Sequence, residues 1–255
     1  MRLKDRVAIV TGGGRGIGKA FCAGLASEGA RVVVADINME SASATAKELE
    51  QQGKEVIAVK TDVSDEKSTL GMAEKAVERF GGIDILVNNA AFFTPLGLGK
   101  TWDKVDVEEW DKVMSVNLRG LFLCSRAVFP HMLARGKGKI INISSTTAYR
   151  GLVRGIHYVT SKAGVLGFTR ALSRELAGKN INVNSIAPGL TLSEGVVAGG
   201  GFVTQEDWAK MRTLRCSQKD LYPKDMVGAM IFLASDESGS VYGQTIVVDG
   251  GMVFV

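Results

Sequence analysis

Short apolar runs alternate along the chain with stretches in which apolar residues recur every three or four positions. The runs at 7–10, 31–35, 55–59, 83–87, 139–143, 182–187 and 245–248 are rich in Val and Ile. Such continuous apolar segments predict strands covered on both faces. Between them, the spacing predicts helices over 16–28, 40–52, 66–80, 107–135, 158–176, 205–212 and 225–234. In the first helix the inner face is Ile17, Ala20, Phe21 and Leu25. Regular strand–helix alternation predicts an α/β protein: a single-domain, Rossmann-like doubly wound parallel sheet of about seven strands, with helices on both faces. No repeat, low-complexity tract or linker interrupts residues 1–255, and four prolines mark no break.

In such sheets ligands sit beyond the carboxyl ends of the strands, and the distinctive residues fall at those ends. The first strand runs into Thr11-Gly12-Gly13-Gly14-Arg15-Gly16-Ile17-Gly18. A glycine turn between a buried strand and a helix presents bare amides at a positive helix end, which suits a phosphate. The second strand ends on Asp36-Ile37. An acid about 20 residues after the glycines suits the hydroxyls of an adenosine ribose. The spacing is not G-x-G-x-x-G, because Ile17 or Arg15 stands where a glycine would be needed.

Further along, Asp62-Val63 follows the third strand. Its carboxylate is suited equally to an adenine amine and to a turn preceding the next helix. Asn88-Asn89-Ala90-Ala91 ends the fourth strand, where asparagine side chains can tie neighbouring strand ends together. The loop 92–105 carries Phe92, Phe93, Pro95 and Trp102, candidate pocket walls or loop packing. Asn117 is a polar residue on an otherwise apolar helix face, and must find partners if buried. It marks either a helix distortion with bound water or a satisfied core amide.

Ser144-Ser145 follows the fifth strand, and Tyr158 and Lys162 lie four apart, on one face of the next helix. A phenol has a pKa near 10, and an ammonium one turn away is expected to favour the phenolate. Tyr158 then serves as general acid or base, with Ser145 placing the substrate oxygen. Pro188-Gly189 ends the sixth strand, and segment 190–221, with Gly199-Gly200-Gly201, reads as a lid over the pocket.

Tyr-x-x-x-Lys with a serine thirteen residues upstream, after Thr-Gly-x-x-x-Gly-x-Gly, resembles the short-chain dehydrogenase/reductase family over Thr11 to Gly251. The resemblance implies a catalytic tetrad of Asn117, Ser145, Tyr158 and Lys162, with Asn117 holding a water that links Lys162 to solvent. It implies cofactor contacts from Gly12, Arg15, Gly16, Ile17, Gly18, Asp36, Ile37, Asp62, Val63, Asn89, Ala90, Tyr158, Lys162, Pro188, Gly189 and Thr191. Two departures stand out: Ala91 replaces the usual glycine, and Thr191 or Ser193 can supply the hydroxyl of the nicotinamide turn, Thr191 being favoured. Asp36 accepts from both ribose hydroxyls of NAD and repels the 2′-phosphate of NADP, which outweighs Arg15 and selects NAD.

The expected activity is interconversion of a secondary alcohol and a ketone. The alternatives are a 3-oxoacyl-thioester reductase and a non-catalytic NAD-binding protein of the same fold. Substrate walls are expected from Phe92, Phe93, Ser145, Thr147, Tyr149, Tyr158 and the 190–202 segment, favouring a moderately hydrophobic substrate. His157 is either a substrate contact or a packed side chain. The family implies a homotetramer.

Composition narrows the partners. A net charge of +4 argues for neither nucleic acid nor a membrane surface. No run approaches the ~18 apolar residues of a span, and no charged leader with an apolar segment opens the chain, so a cytoplasmic address is expected. Three scattered cysteines and two histidines suggest neither disulfides nor a metal site.

Overall fold

The computed structural model describes residues 1–93, 100–197 and 204–255. Seven strands form one parallel sheet in the order β3-β2-β1-β4-β5-β6-β7. They are β1 (Val7–Thr11), β2 (Arg31–Asp36), β3 (Val56–Lys60), β4 (Ile85–Asn88), β5 (Gly138–Ile143), β6 (Ile181–Pro188) and β7 (Thr245–Val248). Each begins and ends within a few residues of its apolar run. The order reverses between β1 and β4, and at that switch point the connecting helices leave towards opposite faces and open a crevice.

Alternate strand residues point to opposite faces, which divides the core in two. Ala8, Val10, Val32 and Val34 pack under α1 (Gly16–Ser27), α2 (Met39–Gln51) and α10 (Val227–Ala234). Val7, Ile9, Val33 and Leu86 pack under α3 (Glu66–Phe80), α5 (Gly120–Ala134) and α7 (Ile156–Leu176). The central strands are therefore buried on both sides, which is why their sequences read as unbroken apolar runs.

The long helix expected over 107–135 is three pieces. α4 (Val107–Met114) and α5 flank a π-helical turn, Ser115–Arg119, with Asn117 at its centre. Such turns insert one residue and re-aim the side chains around them. The expected 225–234 helix begins as a 3-10 turn, Pro223–Met226, before α10. Three more helices belong to loops: α6 (Thr147–Arg150), α8 (Glu194–Val197) and α9 (Gln205–Thr213). Pro95, Gly199, Gly200, Gly201 and Phe202 lie outside the described residues.

Candidate active site

A cavity of about 710 Å³ opens at the carboxyl ends of β1, β2, β4, β5 and β6. One end is the glycine turn. Gly12 has φ +64°, left-handed backbone that costs glycine little, and a Cβ at Gly18 would stand 2.0 Å from the Gly12 carbonyl oxygen. No side chain caps α1, whose N-cap is Arg15. The first-turn amides of α1 thus meet the cavity at its Gly16, Ile17 and Gly18 wall. The small residues and the positive helix end suit a dinucleotide pyrophosphate.

Asp36 lines the same end. Its carboxylate accepts from the amides of Gly14 and Asn38, both at 3.0 Å, which fixes its orientation. Ile37 and Val63 line the cavity beside it, as does Asp62. Burial pushes the Asp62 carboxyl up, but the Ser64 hydroxyl and amide, with Lys112 and Arg119 nearby, hold it below the usual value on balance. Between the two ends, the Asn89 amide donates to the carbonyls of Thr11 and Gly12, tying β4 to the glycine turn. Asn88 donates to Asn142, and Asn142 to Thr169, tying β4, β5 and α7. The asparagine pair therefore braces strand ends, while Asn89 and Ala90 also face the cavity.

At the other end α7 delivers Tyr158 and Lys162 to the wall formed by Ser145 and Thr147. The Phe93 ring lies 4.7 Å from that of Tyr158, tilted by 50°. Lys162 Nζ donates to the Ile143 carbonyl at 2.8 Å and lies 5.8 Å from the centre of the Tyr158 ring. The expected depression of the phenol by this lysine is not what the protein alone produces. Burial pushes the Tyr158 phenol up to about 12, against the lowering effect of the Ser145 hydroxyl's hydrogen bond. Burial likewise pushes the Lys162 ammonium down to about 8. Both groups leave water, and each is driven towards its neutral form.

Asn117 is not on the cavity wall. Its amide accepts from Phe92 N at 2.7 Å and donates to Phe92 O and to Ser161 Oγ, and Ser161 Oγ donates to the Tyr158 carbonyl. The π turn thus resolves the two sequence alternatives together. The helix is distorted, and the amide it re-aims is satisfied by Phe92 and by Ser161 of α7. His157 is buried and does not reach the cavity.

Tyr149, expected on the substrate wall, is a correction. It lines a separate cavity with Arg170 and Tyr242. Thr147 and Tyr149 are two residues apart on one helical turn, about 200° around the axis, so they face opposite ways. Thr191 lines the first cavity with its hydroxyl donating to the Gly189 carbonyl, and Ser193 stands against Gly16 at the glycine-turn end. Pro188, Gly189, Leu190 and Val196 complete that side. Sequence patterns missed Arg150, Leu152, Val153 and Arg154, which also line the cavity. Their position between Ser145 and Tyr158 was the available signal. Asp207 and Met211, from α9, also line the cavity, and their signal was membership of the 190–221 segment expected to cover the pocket.

Residues 6–198 match the family model for short chain dehydrogenases. The chain is a short-chain dehydrogenase. This dehydrogenase is 38% identical over 251 residues to the probable galactose dehydrogenase GalD of Rhizobium meliloti, covering 98% of this chain and 96% of the relative. It is 37% identical over 257 residues to the 3-oxoacyl-[acyl-carrier-protein] reductase FabG of Thermotoga maritima, covering 99% of this chain and all of the relative. A solved structure from Beutenbergia cavernae, a candidate NAD(P)-dependent gluconate 5-dehydrogenase with NADP bound at low occupancy, superposes with a TM-score of 0.90. That pair is 34% identical, with 98% of this chain and 97% of the other covered. Membership makes this dehydrogenase an oxidoreductase with an NAD(P)-binding Rossmann-like fold. No helix among its described residues is long and apolar enough to cross a membrane.

Proposed function

We propose that this dehydrogenase interconverts a secondary alcohol and a ketone with NAD, using Tyr158 as the proton-transfer residue. The observation that carries the reading is one cavity holding the glycine turn and Asp36 at one end and Ser145, Tyr158 and Lys162 at the other. The dinucleotide, when bound, supplies or accepts the hydride. Gly12, Gly16, Ile17 and Gly18 hold its phosphates, Asp36 its adenosine ribose, and Asn89, Ala90, Pro188, Gly189 and Thr191 its nicotinamide half.

In ketone reduction the Tyr158 phenol, protonated at neutral pH, gives its proton to the carbonyl oxygen. The Ser145 hydroxyl donates to the same oxygen and fixes the carbonyl beside the phenol. In alcohol oxidation the phenolate accepts the hydroxyl proton, so that direction needs Tyr158 deprotonated. Lys162 stays within reach as the neighbouring cation that favours the phenolate.

Asp36 supports NAD over NADP, since a fixed carboxylate repels a 2′-phosphate. The galactose and gluconate enzymes among its relatives support a hydroxylated substrate. The Thermotoga relative favours a second reading, reduction of a 3-oxoacyl thioester. The same reading includes a homotetramer, to which the exposed Phe122 and the Phe254 tail contribute apolar surface, and a cytoplasmic address.

Initial rates with NAD+ and NADP+ over secondary alcohols, polyols and hydroxyacyl thioesters test the activity, and gel filtration tests the assembly. Replacing Tyr158 with Phe is expected to lower turnover at least about a hundredfold while NADH fluorescence still reports binding. Near-normal turnover by that variant would overturn the reading.

A further inference from the structure

Between Ser145 and Tyr158 the cavity wall carries two arginines. Arg150 is the last residue of α6, and Arg154 lies in the turn into α7 with φ +60°, left-handed backbone that arginine rarely adopts. Both side chains are exposed at the rim, and neither forms an ion pair among the described residues. A third cation, Arg215, lies within electrostatic reach of Arg150, and Asp220 and Asp249 also act on it. Arg215 is buried, and its guanidinium donates to the carbonyls of Lys219 and Leu190, while its Nε has no partner. Among the described residues the cavity's carboxylates are Asp36 and Asp62, at the glycine-turn end, and Asp207, whose Oδ2 already accepts twice from Thr204.

We propose that Arg150 and Arg154 form an anion subsite, so that the preferred substrates carry an oxyanion group remote from the reacting carbinol. The inference rests on reading the cavity as an alcohol dehydrogenase site and adds the substrate class to it. Arg154 is four residues from Tyr158, a span of at most about 14 Å along the chain. That limit applies to the two Cα atoms, and because both side chains line one cavity, an anion held by Arg154 shares that space with a group at the phenol. A guanidinium grips a carboxylate or phosphate with two parallel hydrogen bonds, fixing orientation as well as charge. Phe92, Phe93 and Leu152 line the same cavity, so the site fits an apolar or hydroxylated body with one charged end. The oxyanion is the carboxylate of a small hydroxy acid or the phosphates of a thioester carrier.

The test is a set of matched pairs, 3-hydroxybutyrate with its methyl ester and gluconate with sorbitol, together with 3-hydroxybutyryl-CoA, all with NAD+. The wild type is expected to favour the acid over its neutral partner by roughly tenfold or more in kcat/KM, with KM for the acid rising with salt. In Arg150→Gln/Arg154→Gln that ratio falls towards one. If the double variant loses its preference only for the CoA thioester, the carrier phosphates are the anion. Calorimetric titration of 3-hydroxybutyrate and gluconate into the NAD+ complexes of both proteins covers the case of slow turnover, with weaker binding expected in the double variant. Equal kcat/KM or equal binding for acid and neutral partner, or an unchanged ratio in the double variant, overturns the subsite when the double variant also keeps the wild-type kcat/KM for 3-hydroxybutyryl-CoA. Failure to bind NADH at all overturns the dehydrogenase reading instead.

Discussion

His157 Nε2 lies 2.9 Å from Glu109 Oε1, and this contact ties the catalytic helix to α4. The other ring nitrogen, Nδ1, accepts the amide N–H of Tyr158. With Nδ1 accepting, the proton of a neutral ring sits on Nε2 and is donated to Glu109, a tautomer inferred from the partners. The same carboxylate takes Lys100 Nζ at 2.7 Å. Lys100 first, then His157, holds the Glu109 carboxyl below its ordinary value. Glu109 thus joins the far stem of the 92–105 loop to the residue before Tyr158, much as Asn117 joins Phe92 to Ser161.

This arrangement makes His157 a positioning residue. His157→Phe keeps the ring's bulk, removes both contacts and leaves the Tyr158 amide without its partner, a loss of about 1–3 kcal/mol in stability. Turnover is expected to fall roughly tenfold at unchanged KM for NAD+, since a few tenths of an ångström at the phenol suffice. Glu109→Ala is expected to act in the same direction, and the double variant to lose less than the sum. A lowered Tm with full kcat would reduce His157 to a structural cap.

Lys162 contributes to stability with a definite sign. Its ammonium is pushed from an ordinary 10.5 to about 8, so between those values the unfolded chain binds more protons than the folded one. Stability therefore rises as pH climbs from about 8 towards 10.5, and at neutral pH the buried charge costs roughly 3 kcal/mol. Lys162→Met is expected to have the higher Tm at pH 7 even with the Ile143 carbonyl left unpaired, and to lose that advantage by pH 10. Its turnover should collapse in the same preparation. A Tm that falls at pH 7 would show that the hydrogen bond to Ile143 outweighs the burial of charge.

On the proposed reading, Tyr158 sets the pH profile of the two directions. Because burial and Ser145 leave the phenol near 12 in the free protein, ketone reduction starts with the proton in place and oxidation does not. Log kcat/KM for alcohol oxidation is expected to climb with pH across 6–9, while reduction stays flat or declines. Ser145→Ala removes the hydrogen bond that lowers the phenol and should move the oxidation limb to higher pH. An oxidation rate independent of pH across this range would remove Tyr158 as the titrating base.

The sheet and the glycine turn were legible because each depends on local sequence. Both faces of the central strands are covered, so Val7 to Val10 and Val32 to Ala35 carry no polar alternation to confuse the reading. The π turn was not legible, because its cause is distributed. Asn117 bonds Phe92, 25 residues away, and Ser161, 44 residues away. Tyr149 was misplaced because α6 is a single turn, too short for periodicity to fix its phase. The upward push of burial on the Tyr158 phenol in the free protein was not legible, because proximity to Lys162 is written in the i, i+4 spacing and burial is not. Arg154 carries no sequence mark of its left-handed backbone.

On the proposed reading, Asp36 decides between NAD and NADP. Its two oxygens are held by Gly14 and Asn38, so the carboxylate stays at the cavity edge instead of rotating away from an added phosphate. Asp36→Ala removes the repulsion and frees both amides, which then become donors to a 2′-phosphate, with Arg15 lining the same wall as the cation that pairs with it. The ratio of kcat/KM for NADP+ to that for NAD+ is expected to rise at least about tenfold, from partial loss with NAD+ and gain with NADP+. Asp36→Asn keeps the side chain's size and one acceptor oxygen, enough for one of the two amides, while removing the charge, which separates side-chain bulk from electrostatics. If charge governs the choice, Asn shifts the ratio nearly as far as Ala. A wild type already more efficient with NADP+, or an Asn variant with the wild-type ratio, would show that Arg15 and the shape of the turn prevail over the carboxylate.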